Sequence, residues 1–244
     1  MKPLAIITGA NRGLGFETSR ELAKKGIKVL MGSRDEDKGN AAAARLHDEG
    51  LDVTAVPLDV SDPESIRNAV HDITSTYEVL DILINNAGMV CPEEGWTSNS
   101  VEHLPMAALQ ATFETNFFGT VDLTQQVLPL LKQSKQGRIV NVSSILGSLT
   151  LCSDKTSGVY EAKAFAYNAS KAAMNMFTIH LAAALKETSI TVNSAHPGWV
   201  KTDMGTAAAP LTISEGIKTI IDLALHTTAG YTGHFVHMGE QIPW

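Results

Sequence analysis

A parallel, doubly wound α/β sheet in one domain is the architecture this sequence predicts, on three observations. Short apolar runs alternate with helix-like stretches from end to end, the βαβα order that calls for a parallel sheet. The first apolar run, Leu4 to Ile7, breaks at a glycine-rich turn and is followed by a stretch of helical composition from Phe16 to Lys25. The 244 residues, 44% of them hydrophobic, show no Pro/Ser-rich linker, long run of one charge or solenoid-period repeat, so residues 1–244 read as a single domain.

The elements follow in order. After the first strand comes Thr8-Gly9-Ala10-Asn11-Arg12-Gly13-Leu14-Gly15. Strand, glycine turn, helix is the context of a phosphate-binding loop. Gly9 permits the tight turn, Gly13 lets the backbone approach a pyrophosphate, Gly15 allows close helix packing, and the helix N-terminus faces the anion. Lys28 to Gly32 is the second strand, followed by a helix from Asp35 to Glu49. A protein for the unphosphorylated dinucleotide would carry an acid at the end of that strand, where this chain has Ser33-Arg34. An arginine fork suits a 2′-phosphate, with Arg12 as a second cation, which favours NADP(H). The competing reading pairs Arg34 with Asp35 or Glu36.

Val53 to Leu58 is the third strand, ending in Asp59-Val60, and Ser61-Asp62-Pro63-Glu64 caps a helix to about Tyr77. Asp59 either bonds an adenine amine or ties its own loop. Leu80 to Ile84 is the fourth strand, closed by Asn85-Asn86-Ala87-Gly88, which either braces the sheet beneath a cofactor or touches its ribose. Residues 89–104 read as a surface excursion of the kind that forms lids. A long helix from Pro105 to Lys132 carries Asn116 in its middle, a poor place for asparagine. Arg138 to Val142, Ile190 to Ser194 and His234 to Val236 complete the strands, with helices from Tyr167 to Thr188 and around Ser214 to Leu225.

The chemistry centres on Asn141-Val142-Ser143-Ser144 and Tyr167-Asn168-Ala169-Ser170-Lys171. Tyr167 and Lys171 are four apart, hence on one helix face. A free phenol titrates near pH ~10, and each unit of downward shift takes about 1.4 kcal/mol. One exposed ammonium supplies about 0 to 1 kcal/mol, too little, so a second cation and a water-poor pocket are required. An oxidised nicotinamide ring would supply that charge.

Together, Thr8-Gly9-x-x-x-Gly13-x-Gly15, Asn85-Asn86-Ala87-Gly88, Asn116, Ser144, Tyr167-x-x-x-Lys171 and Pro197-Gly198 make the whole chain resemble the short-chain dehydrogenase/reductase family. Asn141-Val142-Ser143-Ser144, Pro197-Gly198-Trp199-Val200-Lys201-Thr202-Asp203-Met204 and Gly233-His234-Phe235-Val236 most resemble its carbonyl reductases. The resemblance implies a Rossmann-type sheet of about seven strands in order 3-2-1-4-5-6-7 and NADPH-dependent, reversible reduction of an aldehyde or ketone. It implies Tyr167 as general acid, Lys171 as the cation that lowers its pKa and binds the nicotinamide ribose, and Ser144 as hydrogen-bond partner of the substrate oxygen, with Ser143 structural. Asn116 would hold a water beside Lys171. Val200 and Thr202 would seat the carboxamide after the Pro197-Gly198 turn. The implied cofactor site therefore comprises Gly9, Asn11, Arg12, Gly13, Leu14, Gly15, Arg34, Asp59, Val60, Asn86, Ala87, Gly88, Tyr167, Lys171, Pro197, Gly198, Val200 and Thr202.

The chain departs from most members in the span between Ser144 and Tyr167, which is 23 positions here. This looks like a shortened form of the insertion in monomeric carbonyl reductases, where a longer one covers the helix face used for tetramer assembly, so a monomer is expected. The added stretch, with Tyr160, Glu161 and Lys163, is expected to form a pocket wall with Met89, Trp96, Trp199 and Met204. Pocket elements are thus placed at about 89–104, 145–166 and 203–213.

The net charge of −7 and the lack of a basic cluster argue against nucleic acid or an anionic membrane as partner. The apolar run at the start is too short for a signal segment or a span. Cys91 and Cys152 lack metal-like spacing and read as reduced thiols, so a cytoplasmic location is expected. The histidines show no ligand spacing, and no metal is expected. A dedicated steroid or terpenoid ketone dehydrogenase, or a non-catalytic dinucleotide-binding regulator, are the rival functions.

Overall fold

The computed structural model describes residues 2–97, 101–226 and 230–244. Strands β1 (Leu4–Ile7), β2 (Lys28–Ser33), β3 (Val53–Pro57), β4 (Ile82–Asn85), β5 (Arg138–Val142), β6 (Thr191–Ala195), β7 (Phe235–His237) and β8 (Glu240–Gln241) form one sheet in the order β3-β2-β1-β4-β5-β6-β7-β8. Every pairing is parallel except β7 with β8. The expected order holds, with an eighth strand added. A two-residue strand has too little periodicity to announce itself in sequence.

Helices α1 (Gly13–Lys24), α2 (Glu36–Asp48), α3 (Pro63–Thr76), α4 (Met106–Phe113), α5 (Gly119–Leu131), α6 (Leu149–Ser153), α7 (Phe165–Ala184), α8 (Ile213–Gly216) and α9 (Lys218–Leu225) connect the strands. Strands buried on both faces need apolar residues throughout, as in the fully buried Leu-Ala-Ile-Ile of β1. Two cores result. Ile7, Val29, Met31, Leu22, Leu46 and Ile220 fill one face under α1, α2 and α9. Ile6, Leu83, Ile66, Leu123, Val127 and Val192 fill the other under α3, α5 and α7.

Three expected elements are modified. The long helix after residue 105 is interrupted by a π-turn, Glu114–Phe118, so that α4 and α5 are separate and Asn116 sits in the turn. Such turns gather at functional positions. The helix holding Tyr167 starts earlier, at Phe165, and stops at Ala184. The helix near Ser214 breaks at Ile217 into α8 and α9.

β1 and β4 are neighbours although β2 and β3 lie between them in sequence, so the order reverses there. The loops after these strands diverge and open a crevice at the strands' carboxyl ends, where α/β sheets take ligands.

Candidate active site

The crevice is a cavity of about 1380 Å³. Its first wall is the glycine loop. Gly9 has φ +62°, the left-handed region that favours glycine, and a Cβ at Gly15 would lie 2.5 Å from the Gly9 carbonyl oxygen. Asn86 braces this loop: its Nδ2 donates to the carbonyls of Thr8 (2.8 Å) and Gly9 (3.2 Å). The amides of Asn86 and Ala87 both donate to Thr8 Oγ1 at 2.9 Å. The side chain therefore takes the bracing role, while Asn86, Ala87 and Gly88 also line the cavity. Gly15 does not line it and acts through packing.

Gly9, Asn11, Arg12, Gly13, Leu14, Arg34, Asp59, Val60, Pro197, Gly198, Val200 and Thr202 all line the same cavity. Arg34 is exposed at the end of β2, and among the described residues it forms no ion pair. Asp35 instead caps α2 by accepting from the Lys38 amide (3.0 Å) and pairs with Lys38 Nζ at 2.6 Å, which holds its carboxyl below the usual range. The pairing of Arg34 with Asp35 weighed from sequence is thus taken by Lys38. Asp59 Oδ1 accepts from the Ser61 amide (2.9 Å) and hydroxyl (2.7 Å), so it ties its loop while facing the cavity. Arg12 is paired across the cleft mouth with Asp203.

The second wall carries the proposed chemistry. β5 ends at Val142, and Ser144 Oγ caps the short 3-10 turn Ile145–Gly147 by accepting from the Leu146 amide (3.2 Å), which fixes the hydroxyl. The Ser144 hydroxyl also stands close enough to the Tyr167 phenol to oppose the effect of burial on it. Lys171 Nζ donates to the Val142 carbonyl at 2.8 Å and stands 5.6 Å from the Tyr167 ring centroid. A buried polar ladder holds α7 against the sheet. Asn85 Nδ2 donates to Asn141 Oδ1 (2.8 Å), Asn141 Nδ2 to Thr178 Oγ1 (2.8 Å), and Thr178 and Ser194 share a bond of 2.8 Å.

Burial governs the ionisation of this group. It pushes the Tyr167 phenol up to about 12, against the opposing pull of Ser144. It pushes Lys171 down to about 8. Charged forms are disfavoured away from water, and a single lysine does not reverse that for the tyrosine. In this environment the phenol stays protonated at neutral pH. His196, buried under the same wall, is pushed down to about 3 by burial and by His237, and its neutral Nδ1 accepts from the Ile145 amide at 3.2 Å.

Asn116 is fully buried and spent on structure. Its Oδ1 accepts from the Met89 amide (2.8 Å), and its Nδ2 donates to the Met89 carbonyl (2.9 Å) and to Ser170 Oγ (3.0 Å). It does not line the cavity, and its side chain ties the chain after β4 to α7.

Of the residues expected in the substrate wall, Met89, Trp96, Trp199 and Met204 line the cavity and Tyr160 does not. Tyr160 lies under the Lys163 ammonium, 3.9 Å from ring centroid to Nζ, while Lys163 Nζ also donates to the Cys152 carbonyl at 3.3 Å. Gly158, Val159 and Ala162 supply the inserted stretch's share of the wall instead. Residues 98–100 of the expected 89–104 element lie outside the described residues. The insertion is anchored on Trp96, whose carbonyl accepts from the Lys163 amide (2.8 Å), and on Trp244, whose carbonyl accepts from the Thr150 amide (3.1 Å). It contributes no residue to the apolar groove of Phe117, Val121, Met176, Phe177 and His180 between α5 and α7.

Sequence reasoning passed over Glu94. The N-terminus of α7 has Ala164 at its cap position, which offers no side-chain bond, and no acid in its first turn. The buried Glu94 carboxylate takes that place, accepting from the amides of Ala166 (2.6 Å) and Tyr167 (3.2 Å). An unmade bond at a buried amide costs about 1–3 kcal/mol, so a helix starting on alanine in the interior signals a cap from elsewhere.

A parallel sheet, a braced glycine loop at its crossover and a Ser144–Tyr167–Lys171 cluster in the same crevice define a dinucleotide-fold protein with a candidate site for oxygen-centred proton transfer. Residues 3–210 match the model of the short chain dehydrogenase family. The chain belongs to that family, oxidoreductases acting on the CH–OH/C=O pair. Carbonyl reductase (NADPH) 1 of Mus musculus is 33% identical, the match covering 100% of this chain and 99% of that protein. (+)-Neomenthol dehydrogenase of Capsicum annuum is 32% identical, covering 97% and 96%. Among solved structures, an NADPH-bound carbonyl reductase from chicken fatty liver superposes with a TM-score of 0.86 at 25% identity over 100% of both chains. Salutaridine reductase from Papaver somniferum gives 0.81 at 27% identity over 96% and 99%. Among the described residues no helix is long and apolar enough to cross a membrane.

Proposed function

We propose that this chain reduces an uncharged aldehyde or ketone with NADPH, with Tyr167 as the proton donor. The observation that carries the reading is the buried contact of Tyr167 with Ser144 beside Lys171, in the crevice that the glycine loop and Arg34 also face. The crevice suits NADP(H) on three counts: Gly9 and Gly13 of the loop that lines it hold positive φ, the N-terminus of α1 has no side-chain cap and so leaves its first amides for an anion, and among the described residues Arg34 has no carboxylate paired with it. The names of the reductase relatives and of the chicken structure lend NADPH the same support.

When bound, the reduced nicotinamide supplies hydride and its oxidised ring supplies positive charge. The chain supplies the rest. Ser144 donates to the carbonyl oxygen and fixes its position against the phenol. Tyr167, fully protonated at neutral pH because burial holds it near 12, gives its proton to that oxygen as negative charge develops there. Lys171, held on Val142, offers positive charge to the phenolate left behind. Because the unliganded pocket keeps the phenol protonated, it is poised for reduction, and alcohol oxidation requires a higher pH to unload the tyrosine first. Gly9, Asn11, Gly13 and Leu14 would hold the pyrophosphate, Arg34 and Arg12 the 2′-phosphate, Asp59 and Val60 the adenine end, and Pro197, Gly198, Val200 and Thr202 the nicotinamide end.

The substrate end of the cavity, walled by Met89, Trp96, Val159, Ala162, Trp199 and Met204, presents apolar surface, which favours an uncharged and largely apolar carbonyl compound. A panel of aldehydes, quinones and cyclic ketones, followed by loss of reduced-nicotinamide absorbance, tests the reading. Turnover of uncharged members is expected, and a panel without NADPH-dependent turnover sinks it.

A further inference from the structure

We propose that Glu94 is a positioning residue for the reaction, setting the height of the Tyr167 phenol in the cleft by holding the first turn of α7. The proposal rests on Tyr167 being the proton donor. Glu94 is 72 positions upstream of Ala166, in the excursion after β4, yet its carboxylate is buried against the start of the helix. One oxygen receives the Ala166 amide and the other the amide of Tyr167 itself. Among the described residues no other side chain caps α7, whose cap position is the fully buried Ala164.

The segment around Glu94 is fastened at three places. Cys91, buried, faces Thr112 of α4 and begins the turn in which the Glu94 amide donates to the Cys91 carbonyl (3.1 Å). Glu94 then grips α7. Two residues on, the Trp96 carbonyl accepts from the Lys163 amide at 2.8 Å, and the Trp96 ring meets the Tyr167 ring edge to face at 5.5 Å. The same strap thus holds the phenol from two sides, by its backbone amide through Glu94 and by its ring through Trp96. A carboxylate with both oxygens engaged fixes the helix start in translation and rotation, and proton transfer is sensitive to displacements of an ångström or less.

The test compares Glu94→Asp, Glu94→Gln and Glu94→Ala with native protein and with Tyr167→Phe, all with NADPH and an uncharged ketone. Glu94→Asp keeps the charge on an arm too short to reach both amides, and Glu94→Gln keeps one accepting oxygen in place. The proposal expects kcat to fall about tenfold in Glu94→Asp and Glu94→Ala and less in Glu94→Gln, while NADPH Kd stays within about twofold of native. Native kcat in folded Glu94→Asp overturns it. Loss of NADPH affinity in step with kcat in Glu94→Gln also overturns it, since Glu94 would then support the whole cleft. Failure of all three variants to fold does the same. Full turnover in Tyr167→Phe refutes the proton-donor reading, whereas an inactive Tyr167→Phe beside a fully active Glu94→Asp removes only the role of Glu94.

Discussion

The proposed cofactor end of the cleft is made mostly of backbone, and the proposed substrate end mostly of side chains that meet from distant parts of the chain. At the first, Gly9, Gly13 and Gly15 shape a loop that two contiguous residues, Asn86 and Ala87, brace through Thr8. At the second, Trp96, Val159, Ala162 and Met204 converge from three separate segments, and the helix that bears Tyr167 is capped by Glu94 rather than by its own neighbours. Backbone sites need particular residues at fixed spacing. Side-chain sites need only a total of volume and polarity, which many sequences supply.

The sharpest way to break the comparison is at their junction. Tyr167→Phe removes one oxygen from the centre of the cluster and leaves the glycine loop untouched. The expected result is a loss of about 10²- to 10⁴-fold in kcat with NADPH affinity nearly native, measured by steady-state turnover and by fluorescence titration. Parallel losses of turnover and affinity would mean that the two ends are not separable. Next in size is Arg34→Ala. Arg34, which forms no ion pair among the described residues, would give a 2′-phosphate a charge-assisted bond, so NADPH is expected to bind about 10- to 100-fold more weakly while NADH changes less than about twofold. Equal losses would show that Arg34 does not read the phosphate.

These two residues also mark what was legible. The alternation of strands and helices, the glycine loop and the Tyr167–Lys171 pair were readable because each carries a local rule, a period, a φ requirement or a four-residue spacing, whereas the strand order and the role given to Ser144 came through the family resemblance. The side-chain partners of Asn116 were not readable, since they depend on where Met89 passes. The surroundings of Tyr160 were hidden for a similar reason, as its contact with the Lys163 ammonium depends on how the turn at 157–160 folds. Glu94 left only a faint trace, a carboxylate near an apolar loop and a helix starting on alanine, and nothing in sequence joins the two. The anchoring of the short insertion on Trp96 and Trp244 was equally hidden, because both contacts join segments far apart in sequence.

A smaller effect separates function from stability. Lys171 is fully buried and pushed down from 10.5 to about 8, so below pH 8 its charge costs the fold about 3 kcal/mol. Lys171→Met is expected to abolish most turnover and yet stabilise the unliganded protein at pH 7 by about 2 kcal/mol, after the lost bond to the Val142 carbonyl is counted. The sign follows from proton uptake: between pH 8 and 10.5 the unfolded lysine binds more protons than the folded one, so native stability rises with pH and the gap to the variant narrows. Denaturant unfolding at pH 7 and pH 10 measures both. A variant less stable than native at pH 7 would mean that the ammonium is better solvated than its burial implies.

The smallest expected effect lies at the mouth of the cleft, where Arg12 spans from the glycine loop to Asp203. Both side chains are largely exposed, 70% and 76%, so the pair is weak and screened by salt. It nonetheless competes with any phosphate that Arg12 would otherwise meet, and it joins the backbone-built end of the cleft to the loop carrying Met204. In Asp203→Asn the arginine keeps a neighbour of the same size without the charge. NADPH is expected to bind about two- to threefold more tightly at low ionic strength and equally at high, with NADH little changed in either. Weaker NADPH binding in the variant would reverse the inference, since Asp203 would then be aiming Arg12 at the phosphate instead of withholding it.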